Sequence, residues 1–190
     1  MRRTWSAVLL LALGACASGG REPAVSALPE AAAPAALRTA LPADVLPFTA
    51  ATTHFATRAG TRLVVRTEPD ADALHMYVSD GSAEPRRLDW RRSGASVFVS
   101  KGPESEVEIL RIGALPGAAW EAGPYRVAFE GWERVETPAG SYDAARIAVA
   151  LGPSGVQQTL ERWWFAPGTG LVRLSQDNGG LFSMEMWRTP

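Results

Sequence analysis

The chain holds a single cysteine, Cys16, in 190 residues. An intrachain disulfide is impossible, and a zinc site built on several thiolates is excluded. Histidine is almost as scarce, with only His54 and His75. No H-x-x-x-H pair, glycine-rich phosphate loop or calcium-type acidic loop accompanies them, and no G-x-S-x-G marks a nucleophile elbow. An excess of one charge is missing too. Lys+Arg number 19 and Asp+Glu 20, a formal net charge of −1. A polyanion binder needs a basic excess, and here no basic patch is interleaved with aromatics, which argues against nucleic acid as a partner. No apolar run reaches the roughly 20 residues that span a bilayer as a helix. Beyond residue 47 no amphipathic helical stretch of about a dozen residues occurs. These absences remove most metalloenzyme and thiol chemistry and imply neither metal nor cofactor.

The N-terminus carries an address. Arg2 and Arg3 precede a short apolar run, Val8 to Leu13, and residues 1–15 read as a signal peptide. Its end, Leu13-Gly14-Ala15-Cys16, resembles the bacterial lipobox. An ordinary secretory signal with a chance cysteine is the alternative, but the one cysteine of the chain stands at the required place. The resemblance implies a diacylglycerol on the Cys16 thiol, cleavage before Cys16, and a membrane anchor of several acyl chains, enough for stable attachment. Ala17, where an Asp would retain such a protein at the inner membrane, implies the outer membrane.

Residues 16–47 follow as the lipidated cysteine and a tether. Ala, Pro, Gly and Ser dominate, no aromatic occurs, and Pro23, Pro29, Pro34, Pro42 and Pro47 interrupt any regular element. Such a segment buries too little apolar surface to offset its ordering cost, so a flexible spacer is expected. From Phe48 the texture changes: aromatics return with regular Gly and Pro punctuation. Residues 48–190 carry 15 basic and 17 acidic side chains and are long enough for one domain with its own core.

Within it, alternation with period two recurs. Leu63 and Val65, Leu74, Met76 and Val78, Val97 and Val99, and Val107 and Ile109 each alternate with polar or outward neighbours. So do Tyr125, Val127 and Phe129, then Ile147, Val149 and Leu151, then Phe182, Met184 and Met186. Turn signals at Thr137-Pro138-Ala139-Gly140, Gly152-Pro153-Ser154-Gly155, Ala166-Pro167-Gly168-Thr169-Gly170 and Asp177-Asn178-Gly179-Gly180 divide the last third into a meander of four or five strands. The expected fold class is mainly β: a single antiparallel curved sheet, half-barrel or barrel-like, with low helix content.

Several strands are apolar on both faces. Phe98 opposes Val97 and Val99, and Trp163 and Phe165 oppose Leu160 and Trp164. A flat sheet with one wet face has no need of this. Either the sheet closes, or a second layer covers it, or one face lines an apolar cavity. In the cavity case Trp163, Phe165 and Trp187 are the expected wall, opposite Leu160, Trp164, Met184 and Met186, and Trp163→Ala should then cost less stability than Trp164→Ala. His54 and His75 are expected on strands, with His75 turned away from the core.

The run Val135-Glu136-Thr137-Pro138-Ala139-Gly140-Ser141-Tyr142-Asp143-Ala144 and the run Trp164-Phe165-Ala166-Pro167-Gly168-Thr169-Gly170-Leu171-Val172-Arg173 resemble two hairpins of a poorly characterised family of bacterial envelope and lipoprotein domains. Leu115-Pro116-Gly117 with Trp120 fits that family's lead-in. The resemblance covers about Leu115–Trp187. It implies a curved antiparallel sheet akin to the LolA and LolB half-barrels. The motifs are turns and strands and carry no catalytic residues.

Together these readings imply a non-enzymatic bacterial envelope lipoprotein, attached to the membrane through its N-terminal lipid and binding a hydrophobic small molecule or an envelope protein. A scaffold or assembly accessory working by protein contact is one alternative, and an envelope hydrolase another. The anchor is directly testable. Cys16→Ser should abolish incorporation of radiolabelled palmitate and leave an unprocessed or soluble chain. A variant that still takes up palmitate contradicts the lipobox.

Overall fold

The protein is described by a computed structural model covering residues 39–81, 84–102, 105–151, 159–177 and 183–190. Cys16, its lipobox neighbours Leu13, Gly14 and Ala15, and the tether up to residue 38 lie outside the described residues.

Among the described residues there is no helix and there are twelve strands. The first six are β1 (Ala51–Thr57), β2 (Arg62–Asp70), β3 (Ala73–Ser79), β4 (Arg86–Ser93), β5 (Ser96–Gly102) and β6 (Ser105–Arg111). The second six are β7 (Ala119–Ala122), β8 (Tyr125–Thr137), β9 (Gly140–Leu151), β10 (Thr159–Ala166), β11 (Gly170–Asp177) and β12 (Ser183–Thr189). All belong to one sheet in the order β6-β5-β4-β3-β2-β1-β12-β11-β10-β9-β8-β7. Each half of the chain is an up-and-down meander, and β1 pairs with β12 to join them. The expected fold class is the one found, and the C-terminal meander runs β8 to β12.

The sheet is rolled nearly into a barrel. The Trp90 ring of β4 meets the Trp163 ring of β10 edge-on, with centroids 5.6 Å apart. Five strands lie between β4 and β10 in the sheet order. Six strand spacings of about 4.8 Å would hold them roughly 29 Å apart on a flat sheet. Only a curled sheet brings them into contact.

One joint stays open, between the consecutive strands β6 and β7, which share no backbone ladder. The connecting segment crosses it, and the indole N–H of Trp120 on β7 donates to the backbone carbonyl of Glu108 on β6 at 2.8 Å. The Arg111 guanidinium lies 5.0 Å from the centre of the Trp120 ring and pairs with the Glu108 carboxylate at 2.7 Å. A side-chain latch thus stands in where backbone pairing stops, and it protects an edge that would otherwise invite another strand.

The tether, expected to run to residue 47, ends sooner. From Thr39 the chain is a strap across one end of the barrel. Leu41 donates its N–H to the Ala114 carbonyl at 2.9 Å and accepts from Gly113 at 2.8 Å. Arg92 donates to the carbonyls of Ala43 and Leu46, and Gly168 donates to that of Asp44. Leu41, Val45 and Leu46 are buried in the main core. Gly170 has φ +82, and a Cβ there would stand 3.4 Å from Pro47 and 3.5 Å from Leu46. Its missing side chain serves both the turn and the close approach of the strap. The physical reason for the shift in boundary is the Leu41–Leu46 segment: three apolar side chains among prolines are enough to dock onto a preformed core, each contributing about 1.5–3 kcal/mol on burial.

Leu41→Ala should therefore destabilise the domain by about 2–5 kcal/mol. A chain starting at residue 48 should melt well below one starting at residue 39. Equal denaturation midpoints for those two chains would contradict the strap's structural role.

Candidate functional site

The alternation read from the sequence places its residues correctly on most strands. Leu74 and Met76, Val97 and Val99, Val107 and Ile109, Val127 and Phe129, and Ile147 and Val149 are all buried in the main core. His75 points outward, as expected, and His54 is exposed on the outside of β1.

The three expected cavity-wall residues do not share a face. Trp163 and Phe165 point inward and belong to the main core together with Met186, and half-buried Met184 packs against them. Trp187 follows Met186 and so lies on the outer face, opposite Arg173 of β11 and Ala56 of β1. Counted from buried Met186, the parity of β12 puts Met184 and Met186, not Trp187, on the same inner face as Trp163. Inside, the rings are in contact. Trp163 and Phe165 stack with an interplanar angle of 8°. Trp90 stands edge-on to both, 5.6 Å from Trp163 and 6.1 Å from Phe165. Trp90 is fully buried, and its indole N–H has no hydrogen-bond partner.

Two hollows lie outside this stack. One, about 440 Å³, runs over the outside of β1 and β2 beneath the β8–β9 tip, between His54, Arg62, Pro138 and Thr189. The other, about 200 Å³, lies beside the strap between Pro47, Met76, Leu171 and Arg188. Trp163, Phe165 and Trp187 line neither.

The second apolar face of β10 has a different cause. At Gly131, with φ +138, the β8–β9 register shifts by one residue. Before the bulge Val127 and Phe129 face inward. After it Trp132 packs on the main core, while Val135 turns outward. A one-residue insertion exchanges the faces of the strand, and glycine tolerates the positive φ it requires. The outer half of the hairpin curls over the barrel, and the Ala139 N–H at its tip reaches the Arg188 carbonyl of β12. Val135, Ala144, Trp164, Ala166 and Val172 form a second buried cluster there, with Tyr142 at its edge. The two motifs carrying the family resemblance, Val135–Ala144 and Trp164–Arg173, therefore pack against each other.

A lattice of paired charges surrounds that cluster. The Trp164 indole N–H donates to Glu133. Arg146 pairs with Glu130 and with Glu133, each at 2.6 Å, and Arg173 pairs with Glu185 at 2.5 Å while lying 4.6 Å from the centre of the Trp164 ring. The sequence shows these residues only as ordinary strand charges. Their grouping depends on the hairpin's curl.

A second polar group surrounds His75. Its Nδ1 lies 2.7 Å from Asp89 Oδ1 and 3.0 Å from Arg87 Nη2. One ring nitrogen serves one of these at a time, and the shorter distance makes it a donor to Asp89. The other nitrogen, Nε2, faces Asp70 at 3.8 Å. Burial pushes the Asp89 carboxyl up, but hydrogen bonds from Arg87 and His75 outweigh it and hold it below the usual range. At the seam, the hydrogen bond from Arg111 holds Glu108 low against its own burial. Both carboxylates thus stabilise the fold above their unfolded pKa values, and that contribution is lost as the pH falls through the folded ones. Among the described residues no group of three or more His, Cys, Asp and Glu side chains is arranged to hold a metal ion.

No family model matches this sequence, and no curated protein matches it. Two solved structures are similar in shape. One is described as a putative lipoprotein from Parabacteroides distasonis, with 13% identity over 76% of this chain and 96% of that one and a TM-score of 0.46. The other is described as a putative exported protein with a YmcC-like fold from Bacteroides fragilis, with 15% identity over 80% of this chain and 98% of that one and a TM-score of 0.44.

The packing reverses the order of stability first expected for the tryptophan pair. Trp163 touches rings across the full width of the barrel, so Trp163→Ala should cost about 3–5 kcal/mol, at least as much as Trp164→Ala. Equilibrium denaturation decides it. A clearly smaller loss for Trp163→Ala would return that residue to a cavity wall.

Proposed function

We propose that this protein is a bacterial envelope lipoprotein, anchored in the outer membrane through Cys16, whose β domain works without catalysis by contacting an envelope protein on its outer surface. The observation that supports a protein partner over a carried lipid is the filled centre of the barrel. Trp90, Trp163 and Phe165 occupy the space between opposite walls, where a carrier of the half-barrel kind needs room for an acyl chain. Of the two hollows, one lies on the outside; the other, about 200 Å³, opens at the strap end between the inward-facing Phe55, Val65, Leu74 and Met76, does not reach the ring stack, and is smaller than the roughly 300–1,000 Å³ of a ligand pocket. The signal peptide and the Leu13-Gly14-Ala15-Cys16 sequence support the anchor.

The outer wall suits macromolecular contact. Arg66 covers the Tyr77 ring at 5.1 Å and Arg91 the Phe98 ring at 4.7 Å, and Arg91 also pairs with Glu106 at 2.6 Å. Aromatic and arginine side chains held against one another on a rigid sheet are the groups that anchor protein interfaces. The opposed charges pair internally, which fits a role as a scaffold or assembly accessory.

The test is the lipid content of the protein itself. The chain from Ala17 onward, without its own lipid, should carry no stoichiometric lipid in native mass spectrometry and should show no saturable binding of a fluorescent fatty acid. One mole of lipid per mole of protein, or saturable probe binding, would overturn the protein-contact reading in favour of a carrier.

A further inference from the structure

We propose that the strap-bearing end of the barrel is a membrane-contact surface, with Leu115 as the residue that enters the lipid headgroup region. The inference rests on the anchoring through Cys16 proposed above and adds an orientation to it. Four observations converge on one small area. First, the chain leading from Cys16 is tied to the barrel there: the Thr39 carbonyl accepts a hydrogen bond from the Trp132 indole at 2.8 Å. Second, Leu41 is paired with Gly113 and Ala114, so the joining point sits directly beside Leu115. Third, Leu115 is 57% exposed, and only Val64, at 39%, joins it among the exposed large apolar side chains of the described residues. Fourth, Pro116 lies against Gly131, next to Trp132, so an exposed leucine, a proline and a half-buried tryptophan are neighbours.

A lone exposed leucine is ordinary on a soluble surface. This one differs in its position relative to the anchor. Residues 17–38, 22 in number, separate the lipidated cysteine from Thr39 and reach at most about 75 Å when fully extended. The strap-bearing end is thus held within reach of the bilayer at high effective concentration, where a weak apolar contact is enough to set the domain's orientation. Tryptophan beside leucine is the pairing that settles at a membrane–water interface, with the indole N–H kept on a polar partner. At the other end of the barrel the β1–β2 turn carries Arg58 and Ala59, both exposed. That end lies about 20 Å away along β1 and faces outward, toward a partner.

The chain's chemistry makes the test clean. Its one cysteine is consumed by acylation, so a second cysteine gives a single labelling site. Lipidated full-length mature protein carrying Leu115→Cys, Ala119→Cys or Ala59→Cys, each labelled with the fluorophore NBD, is placed in phosphatidylethanolamine–phosphatidylglycerol vesicles that contain a nitroxide-labelled lipid. Labels at 115 and 119 should be quenched about threefold or more over the label at 59, with emission shifted to the blue. Adding Leu115→Asp to Ala119→Cys should bring quenching at 119 down to the level at 59. Radiolabelled palmitate is followed in the same samples. Equal quenching at all three sites in palmitate-bearing protein would overturn the orientation while leaving the anchor standing. Absence of palmitate would overturn the anchor, and this surface with it.

Discussion

The contact of Trp90 with Trp163 and Phe165 is the constraint on which the rest of the structure depends. It ties β4 to β10 across the interior, and so it sets the curvature of all the strands between them. It fills the volume that such curvature would otherwise enclose. It also turns the search for function outward, because a barrel whose centre is aromatic packing offers ligands only its ends and its outer wall. The cost is an indole N–H with no hydrogen-bond partner in the middle of the core, about 1–3 kcal/mol for a donor left without compensation. Three large rings, each burying roughly 150–250 Å², outweigh it.

Two departures from a simple meander make the molecule more than a rolled sheet. The Gly131 bulge turns the outer half of the β8–β9 hairpin over β10 to β12 and gives Trp164 a cover. The strap closes one end, meeting the turn at Gly168 and Gly170 and the segment at Gly113 and Ala114. Both devices use the hairpin motifs that carry the family resemblance. The glycines and small residues of these motifs are there for conformation and close approach. The strap also joins the proposed anchor directly to the core, so the same apolar residues that stabilise the domain fix where the membrane tether meets it.

Most of the fold was legible in the sequence because a strand's side chains alternate with period two and its turns have their own residue types. The inward face of β2, β3, β5, β6, β8 and β9 could be read that way. Bulges defeated the reading elsewhere. At Gly131 one inserted residue reverses the parity of β8, and the one local sign of it in Glu130-Gly131-Trp132 is the glycine itself, which marks bulges but also bends and close approaches. On β12 both Trp187 and its neighbours Met184 and Met186 are large and apolar, so alternation alone does not say which face is inside. The partner strand decides: Trp187 stands opposite Arg173, which covers Trp164 on the outside. The strap was hidden by composition. Five prolines in an alanine-rich segment outweigh Leu41, Val45 and Leu46 when averaged over residues 16–47. The signal lay in their local grouping.

The central claim is that the aromatic rings bind the two walls of the barrel to each other. A double-mutant cycle measures that most directly. Trp90→Ala, Trp163→Ala and the double variant, compared by equilibrium denaturation, should show a coupling of about 0.5–1.5 kcal/mol, the range for aromatic pairs in contact, with each single change strongly destabilising. Losses that add within about 0.3–0.5 kcal/mol, as for distant and independent sites, would mean that the rings do not meet and that the interior is open.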